Sequence, residues 1–328
     1  MNKNVLVVGG AGYIGSHTTL ALQAAGYYAV VYDNFSSGHR DACFGAALVE
    51  GDLADTAKLA QTMQDHDIGS VIHFAALIEA GQSVLTPLPF FHNNVAGTLA
   101  LLDAMNIAGV TRLVFSSTAA VYGNQTQTPL LSEGLNRTPI NPYGDSKAMV
   151  ETIMEACVSA HGLQAIALRY FNACGADAQG RTGERHDPET HLIPLVIQAA
   201  QGTRPHITIY GTDYDTPDGT CIRDYIHVSD LALGHVAAVA HLLGHETASV
   251  TQINLGTGKG QSVREVIDAV KRISGRKFTV VEDARRAGDP AVLVADVARA
   301  GDVLGWKACH SDLETIVRDA WNFAENQQ

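Results

Sequence analysis

The chain has 328 residues, of which 46% are hydrophobic, and a formal net charge of −12 at neutral pH. This length and apolar content fit one large domain or two lobes around a substantial core. The acidic balance excludes nucleic acid and anionic membranes as general partners, because both require clusters of basic side chains.

The first half of the chain alternates between apolar runs and helical patterns. The run at residues 5–8 is unbroken and ends in glycines, which is typical of a buried parallel strand. Further strands are predicted at residues 29–32, 47–50, 71–74, 113–116 and 165–170, and helices at residues 13–25, 54–66, 90–106 and 143–161. This alternation predicts an α/β fold with a Rossmann-like, doubly wound parallel sheet.

After about residue 172 the pattern changes to shorter, mixed elements. Residues 174–189 are rich in Gly, Asp and Arg, which predicts a long loop. Strands are predicted at residues 206–210 and 223–228, helices at residues 192–201 and 230–243, and capped helices behind Ser262 with Glu265 and Ser311 with Glu314. We therefore expect a domain of residues 1–172 and a smaller α+β lobe of residues 173–328. A return of the chain to the first domain near residues 223–255 stays open.

Three glycines follow the first predicted strand and open the first predicted helix. Gly9, Gly12 and Gly15 match G-x-x-G-x-x-G, a spacing that makes a tight turn and brings backbone N–H groups to a pyrophosphate. Asp33 ends the second strand, where a carboxylate accepts hydrogen bonds from an adenosine ribose and repels a 2′-phosphate. Strand, glycines, helix and acid together predict a dinucleotide site that favours NAD over NADP, rather than a purely structural turn.

Polar and small residues follow three later strands. Asp52 comes after the third strand, where it can bond an adenine amino group or cap the next helix. Phe74 and Ala75 end the fourth strand, where small residues leave room for a dinucleotide or for close packing. Thr118 ends the fifth strand, and its hydroxyl can hold a substrate hydroxyl and relay the proton, or cap a turn.

Tyr143 and Lys147 lie four residues apart, on one face of the predicted helix that begins at Pro142. A free tyrosine has a pKa of about 10 and is a weak base at neutral pH, but a nearby ammonium group lowers that pKa. The pair therefore predicts an acid/base device near Thr118, although Tyr-x-x-x-Lys is common by chance and proves little alone.

The ordered set of motifs resembles the extended short-chain dehydrogenases/reductases. Within that family it is most similar to the UDP-glucose 4-epimerases of the branch associated with exopolysaccharide synthesis. Further matching segments are residues 93–98, 168–172, 218–220, 223–228, 254–258 and 285–289. The resemblance implies interconversion of UDP-glucose and UDP-galactose through a transient 4-keto sugar, with tightly held NAD and no net redox change.

The resemblance also implies residue roles. Thr118, Tyr143 and Lys147 match the catalytic residues, with Tyr143 taking the proton of the sugar O4 hydroxyl and Lys147 holding the nicotinamide ribose and lowering the Tyr143 pKa. The implied cofactor contacts are Gly9, Gly12, Tyr13, Ile14, Gly15, Asp33, Asn34, Asp52, Leu53, Phe74, Ala75, Asn93, Tyr143, Lys147 and Tyr170. The implied substrate contacts are Thr118, Tyr143, Phe171, Asn172, Leu192, Tyr210, Arg223, Arg286 and Leu293.

Within the implied substrate set, Arg223, Arg286 and Asn172 match positions that hold the UDP pyrophosphate. The forked guanidinium group of arginine suits a phosphate for geometric reasons. Leu192 and Tyr210 match the uracil site. Leu293 matches a position that limits the space around the sugar 2-substituent, and its bulk predicts weak activity on N-acetylhexosamines. Four residues depart from the pattern of enterobacterial-type relatives: Ile78, Glu79, Asp145 and His191.

Three other functions were weighed. A UDP-arabinose/UDP-xylose 4-epimerase, or an enzyme of dual specificity, stays open because only the C6 group differs. A 4,6-dehydratase is disfavoured, since Ala119 and Ala120 follow Thr118 and cannot transfer protons. A non-catalytic NAD sensor is disfavoured because both Tyr143 and Lys147 are present.

Other expectations concern metals, compartment and assembly. The Asp213–Asp218 loop lacks EF-hand spacing and the histidines lack zinc spacing, so no metal is predicted. The five cysteines are scattered and no signal peptide precedes the first strand, so we expect reduced thiols in a cytoplasmic protein without membrane spans. The resemblance implies a homodimer through the helices predicted at residues 90–106 and 143–161.

Overall fold

The computed structural model describes residues 2–125, 130–286 and 289–327. The strands in these ranges are β1 (Asn4–Val8), β2 (Tyr28–Asp33), β3 (Ala47–Glu50), β4 (Ser70–His73), β5 (Arg112–Thr118), β6 (Gln164–Tyr170), β7 (Asn172–Cys174), β8 (Ile207–Tyr210), β9 (Ile222–His227), β10 (Ser249–Leu255), β11 (Gly260–Ser262), β12 (Val280–Asp283) and β13 (Val292–Leu293). Seven of them form one sheet in the order β10-β6-β5-β4-β1-β2-β3.

Helices cover both faces of this sheet. The helices are α1 (Tyr13–Ala24), α2 (Thr56–Asp65), α3 (Ala80–Leu85), α4 (Pro87–Phe90), α5 (Gly97–Ala108), α6 (Pro142–His161), α7 (Leu192–Gln201), α8 (Val228–Gly244), α9 (Val263–Ser274), α10 (Ala298–Leu304) and α11 (Leu313–Glu325). Apolar residues of α2, α5 and α6 pack on one face, and those of α1, α8 and α10 on the other. All neighbouring strands of the sheet are parallel, so the predicted Rossmann-like, doubly wound α/β fold is confirmed.

A third apolar cluster lies among α7, α9 and α11. Two short sheets accompany it, β8 with β12 and β9 with β7, β11 and β13. The strand β10 leaves this part of the chain and pairs with β6 in the main sheet, and α8 packs on that sheet too. The division at residue 172 into a cofactor domain and a substrate lobe stays a prediction.

The sequence predictions of local structure are mostly confirmed, and one of them is wrong. The helical stretch predicted at residues 90–106 is confirmed, and it consists of α4, a π-helix over Phe91–Ala96, and α5. The last helix is not capped by Ser311, because Asp312 accepts the hydrogen bond of the Thr315 N–H at 2.9 Å. The capping box of Ser262 with Glu265 is confirmed.

No helix in the described parts of the chain combines the length and the apolar character that crossing a bilayer requires.

Candidate active site

The carboxyl ends of the parallel strands bring the predicted residues to one edge of the sheet. Gly9 follows β1, Asp33 ends β2, Ala75 follows β4 and Thr118 ends β5. A ligand cleft at this edge is expected for an open α/β sheet. The structure therefore collects residues that lie more than a hundred positions apart in the sequence.

The glycine-rich turn between β1 and α1 is tight for two different reasons. Gly9 has a φ of +78°, and a Cβ there would lie 2.5 Å from the Ala75 nitrogen, so the chain itself demands glycine. A Cβ on Gly15 would meet the Gly9 and Gly10 backbone. At Gly12, the nearest atom to an added Cβ is the Gly9 oxygen at 3.4 Å, which is an ordinary contact. The protein alone does not explain why Gly12 has no side chain.

An anion at the start of α1 would explain it. Gly12 is the N-cap of α1, no side chain caps the helix, and its first turn holds no acidic residue. The first N–H groups of a helix require acceptors and its dipole favours negative charge there. Tyr13 and Ile14 form this first turn. The turn thus fits the pyrophosphate of a dinucleotide, with Gly12 allowing its close approach.

We expect Gly12→Ala to give a folded protein that has lost its NAD. An added methyl group meets little of the chain but occupies the space against the N-terminus of α1. Bound NAD per chain, measured after denaturation, should fall at least about tenfold, a change that corresponds to about 1.4 kcal/mol. Gly301→Ala in α10 is the matched control, because a Cβ there has no neighbour within 4 Å. Full NAD content in Gly12→Ala would show that the turn is not the pyrophosphate site.

Two acidic residues stand beside this turn. The Asp33 carboxylate is buried and accepts the Ala11 N–H at 2.9 Å and the Phe35 N–H at 2.8 Å. The Asp52 carboxylate accepts from Ala54 N–H at 2.9 Å and from the Asn34 amide at 3.0 Å, and these bonds lower the pKa of Asp52. Asp33 thus ties the strand end to the glycine turn, and both acids keep free lone pairs at the sheet edge.

The other predicted cofactor contacts border the same edge. Leu53 is buried after β3, and the Phe74 ring lies 4.7 Å from that of His235. Asn93 lies in the π-helix and donates to the Asn94 side chain at 2.9 Å. The Tyr170 hydroxyl bonds to Ser116, and burial raises the pKa of Tyr170.

Tyr143 is held at the first turn of α6. Asn141 caps this helix by accepting the Gly144 N–H at 2.8 Å, and Pro142 supplies the first helical residue. The Tyr143 N–H donates to the Ser83 hydroxyl at 3.1 Å, which links α6 to α3. The local sequence therefore fixes where the helix starts, and the start fixes the position of the phenol.

The Thr118 side chain, at the end of β5, lies close enough to Tyr143 to influence its pKa. Burial raises the pKa of Tyr143, the Thr118 hydroxyl lowers it, and the Glu79 carboxylate raises it. Strand β5 extends two residues beyond its predicted end, and this extension is what carries Thr118 to the tyrosine.

Lys147 lies one turn further along α6 and is buried. Its Nζ donates to the Ser116 carbonyl at 2.8 Å and lies 4.9 Å from the centre of the Phe115 ring. Burial lowers the pKa of Lys147 to about 7. Burial disfavours the phenolate and the ammonium alike, and the lowering of the Tyr143 pKa by Lys147 stays a prediction.

A buried polar network beneath this pair was missed by sequence reasoning. Glu151 is fully buried, accepts the Ser117 hydroxyl at 2.6 Å and forms an ion pair with Arg169. Arg169 also donates to the Tyr122 hydroxyl at 3.1 Å. Glu151 follows Tyr143 and Lys147 at a spacing of four, so a longer search along that helical face would have found it.

The predicted substrate residues come from several separate elements. Phe171 and Leu293 pack in one apolar cluster, and Leu293 pairs in register with Arg223 across β13 and β9. Arg223 donates to Asp289 at 3.1 Å. Asn172 opens β7, and Leu192 opens α7 and packs on the third apolar cluster.

Arg286 and Tyr210 form a separate pair. The Arg286 guanidinium lies over the exposed Tyr210 ring, 4.1 Å from the ring centre. Of the predicted motif at residues 285–289, Ala287 and Gly288 lie outside the described residues.

Known proteins resemble this chain over nearly its whole length. The model of the NAD dependent epimerase/dehydratase family matches residues 5–256. This chain belongs to the NAD dependent epimerase/dehydratase family. The UDP-glucose 4-epimerase of Rhizobium meliloti (strain 1021) is 49% identical over 98% of this chain and 97% of that protein. The family resemblance predicted from the motifs is therefore confirmed.

Solved structures of relatives agree. The UDP-glucose 4-epimerase from Brucella ovis in complex with NAD is 50% identical, with a TM-score of 0.95 over 98% of both chains. The enzyme from Stenotrophomonas maltophila with bound NAD and formylated UDP-arabinopyranose is 40% identical, with a TM-score of 0.95 over 99% of this chain and 98% of that one.

Within this epimerase/dehydratase family, the four departing residues have different surroundings. Ile78 is partly exposed and Glu79 is the N-cap of α3. Burial raises the pKa of Asp145, which shows no bond to Lys147, whose amine points to Ser116. His191 bonds to Glu184 in the loop before α7.

Proposed function

We propose that this protein is an NAD-dependent UDP-glucose 4-epimerase that interconverts UDP-glucose and UDP-galactose. The observation that carries the proposal is the position of the Thr118 side chain beside Tyr143, where β5 ends and α6 begins at the carboxyl edge of the sheet. The family membership and the NAD complexes of relatives support the cofactor. The described residues supply an acid/base pair but no group that takes up a hydride, so the reaction depends on the nicotinamide.

The protein residues handle the proton. Thr118 and Tyr143 hold the sugar O4 hydroxyl between them, and Tyr143 takes its proton as the C4–H bond breaks. Lys147 lies one helical turn away, where its ammonium form stabilises the phenolate of Tyr143. A bound NAD would supply the acceptor and donor of the C4 hydride, so that loss of this hydride and of the O4 proton together gives the 4-keto sugar.

The turn after β1 and the first turn of α1 hold the cofactor in this proposal. Gly9, Gly12, Tyr13, Ile14 and Gly15 surround the pyrophosphate. Asp33 and Asn34 bind the adenosine ribose, and Asp52 and Leu53 lie at the adenine. The supporting observations are the uncapped helix start and the uncrowded face of Gly12. Phe74, Ala75, Asn93 and Tyr170 line the path toward Lys147.

Substrate binding uses the other side of the cleft in this proposal. Arg223 and Arg286 are the guanidinium forks for the UDP pyrophosphate, with Asn172 beside them. Tyr210, which stacks on Arg286, and Leu192 form the uracil site. Phe171 and Leu293 line the sugar.

The experiment that tests the proposal is incubation of the purified protein with UDP-galactose without added NAD. The expected product is UDP-glucose, because the cofactor is regenerated in every cycle and stays bound. Identification of both sugars after acid hydrolysis measures the conversion. A protein that binds UDP-hexoses and contains NAD, yet inverts neither sugar, would contradict the proposal.

A second candidate activity is epimerisation of UDP-arabinose and UDP-xylose. The relative from Stenotrophomonas maltophila was solved with formylated UDP-arabinopyranose. The same incubation with UDP-arabinose separates a hexose enzyme from one of dual specificity, since the chemistry at C4 is unchanged.

We expect poor turnover of UDP-N-acetylglucosamine, because Leu293 is bulky and packs with Phe171 where the sugar 2-substituent is proposed to lie. Leu293→Ser should raise kcat/KM for the N-acetylated sugar relative to UDP-glucose by about tenfold or more, since a removed side chain changes pocket discrimination by roughly 1–3 kcal/mol. Leu130→Ser, at an exposed leucine, is the control. Comparable turnover of both sugars by the unaltered protein would contradict this role of Leu293.

We also propose a homodimer formed by α5 and α6. Leu99 and Ile107 on α5 and Met149 on α6 are 45%, 60% and 47% exposed, an apolar surface that a partner copy would cover. Light scattering should give twice the chain mass, and Ile107→Glu should give a monomer. A monomer at micromolar concentration of the unaltered chain would contradict the dimer.

Three finer expectations belong to the same proposal. The protein works in the cytoplasm, supported by its free cysteines. It supplies UDP-galactose for exopolysaccharide synthesis, supported by the branch-like Ile78 and Glu79. Residues 1–172 bind the cofactor and residues 173–328 the nucleotide sugar, with β10 and α8 returning to the cofactor domain.

A further inference from the structure

Four side chains of metal-ligand type converge in the loop before α7. They are Glu184, His186, Glu189 and His191, and their ligand atoms all lie within 4.8 Å of one another. His186 Nδ1 lies 3.1 Å from a Glu184 oxygen, and His191 Nδ1 lies 3.8 Å from a Glu189 oxygen. A tetrahedral ion at about 2.1 Å from its ligands needs donors about 3.4 Å apart. The separations of the four donors, from the directly bonded Glu184–His191 pair to the limit of 4.8 Å, thus lie on both sides of the value that a tetrahedral ion requires.

The charges of the loop point to a cation. The side chains of Glu184 and Glu189 are only 6% and 7% exposed. In the described parts of the chain neither carboxylate forms an ion pair with a lysine or arginine, and Arg185 between them turns away to Asp41 at 2.9 Å. Two adjacent, nearly buried carboxylates are costly unless a positive charge lies against them. Among the described groups, both imidazoles bond to Glu184, and Glu189 accepts the backbone N–H groups of Thr190 and His191.

We propose that Glu184, His186, Glu189 and His191 bind one divalent transition-metal ion, with Zn²⁺ as the natural occupant. This proposal corrects the sequence-based expectation of no metal, which considered only linear spacing. Two imidazoles beside two carboxylates favour Zn²⁺ over Mg²⁺ or Ca²⁺, which take oxygen ligands almost exclusively. Four protein ligands close a tetrahedral shell, so the site is structural and leaves no position for substrate.

The proposed ion would brace the wall of the cofactor cleft. The His186 ring meets the Tyr13 ring edge to face with 6.1 Å between centres, and the Tyr13 hydroxyl donates to the Gly175 carbonyl at 2.7 Å. The Thr182 hydroxyl lies 3.1 Å from the Ser16 hydroxyl of α1. A metal at the end of the loop thus fixes the segment that packs on the first turn of α1. It acts on the fold and stands apart from Thr118, Tyr143 and Lys147.

Metal content tests the proposal independently of turnover. Protein produced with added Zn²⁺ and dialysed against metal-free buffer should carry close to one zinc per chain by mass spectrometry of the metal. The His186→Ala/His191→Ala variant should carry less than about a tenth of that, since two of four ligands are gone. The His241→Ala/His245→Ala variant is the matched control, because these two rings are also in contact, with 3.9 Å between their centres, but form no ion pair with a described carboxylate. Replacement by Co²⁺ should give visible absorption bands typical of tetrahedral coordination.

Several outcomes would overturn the site. Zinc absent from the unaltered protein, or equal in both double variants, contradicts it. A second group, Asp230, Cys309 and His310, also lies within ligand distance, so Cys309→Ser is measured too. Loss of zinc in Cys309→Ser, with retention in His186→Ala/His191→Ala, would assign the ion there instead. If the double variant does not fold, Glu189→Gln supplies the same readout, and unchanged zinc in that variant counts against the proposal.

Discussion

Tyr143→Phe is expected to lower the turnover of UDP-galactose by about 10²–10⁴-fold, the usual contribution of a positioned acid/base group. The substitution removes only the phenolic oxygen, and the Thr118 side chain at the end of β5 lies beside this residue. The ring stays in place, because α6 is anchored at Asn141 and at Ser83. Initial rates at saturating UDP-galactose, with the NAD content of each sample measured, give the effect on kcat.

The matched control is Tyr28→Phe, which removes a hydroxyl from a tyrosine that is 48% exposed at the start of β2. This variant should turn over UDP-galactose like the unaltered protein. Full turnover by Tyr143→Phe, with its NAD site filled, would contradict the role of Tyr143 as the base. It would also favour the alternative of a non-catalytic NAD sensor.

Glu151→Leu is expected to lower the free energy of unfolding by about 3–5 kcal/mol, the usual cost of breaking a buried ion pair. Arg169 is 2% exposed and would keep a buried charge whose main partner is gone. The Ser117 hydroxyl would also lose its acceptor. Urea unfolding with excess NAD in every sample measures the change, so that bound ligand contributes equally.

Two control variants separate the loss of the buried ion pair from the effect of replacing a glutamate by a leucine in α6. Glu155→Leu lies one turn further along α6 and removes a carboxylate that is 42% exposed and paired with Arg137, so it should cost no more than about 1 kcal/mol. Glu151→Leu combined with Arg169→Met should recover much of the loss, because apolar residues can replace a buried pair. Equal losses in Glu151→Leu and Glu155→Leu would contradict the structural importance of the pair.

The functional motifs and most strands of the main sheet could be predicted without a structure. The glycine turn, Asp33 and the Tyr143/Lys147 spacing are local patterns, each governed by backbone geometry over a few residues. Apolar runs and helical periods identified the six strands from residue 4 to 170, because a buried parallel strand is apolar throughout. The seventh strand, β10, was missed, since Ser249, Thr251 and Gln252 give it a polar start at the edge of the sheet.

What the sequence alone determined is therefore the fold class, the cofactor turn and the acid/base pair, since each depends on neighbouring residues. Only the tertiary structure decided which groups meet. It placed Thr118 beside Tyr143, it bonded Lys147 to the Ser116 carbonyl, and it paired Glu151 with Arg169. It also gathered two glutamates and two histidines in one loop. Burial and contacts between distant segments determine which of these side chains pair and how their pKa values shift. Linear spacing in the sequence does not predict either, because the sheet brings these segments together.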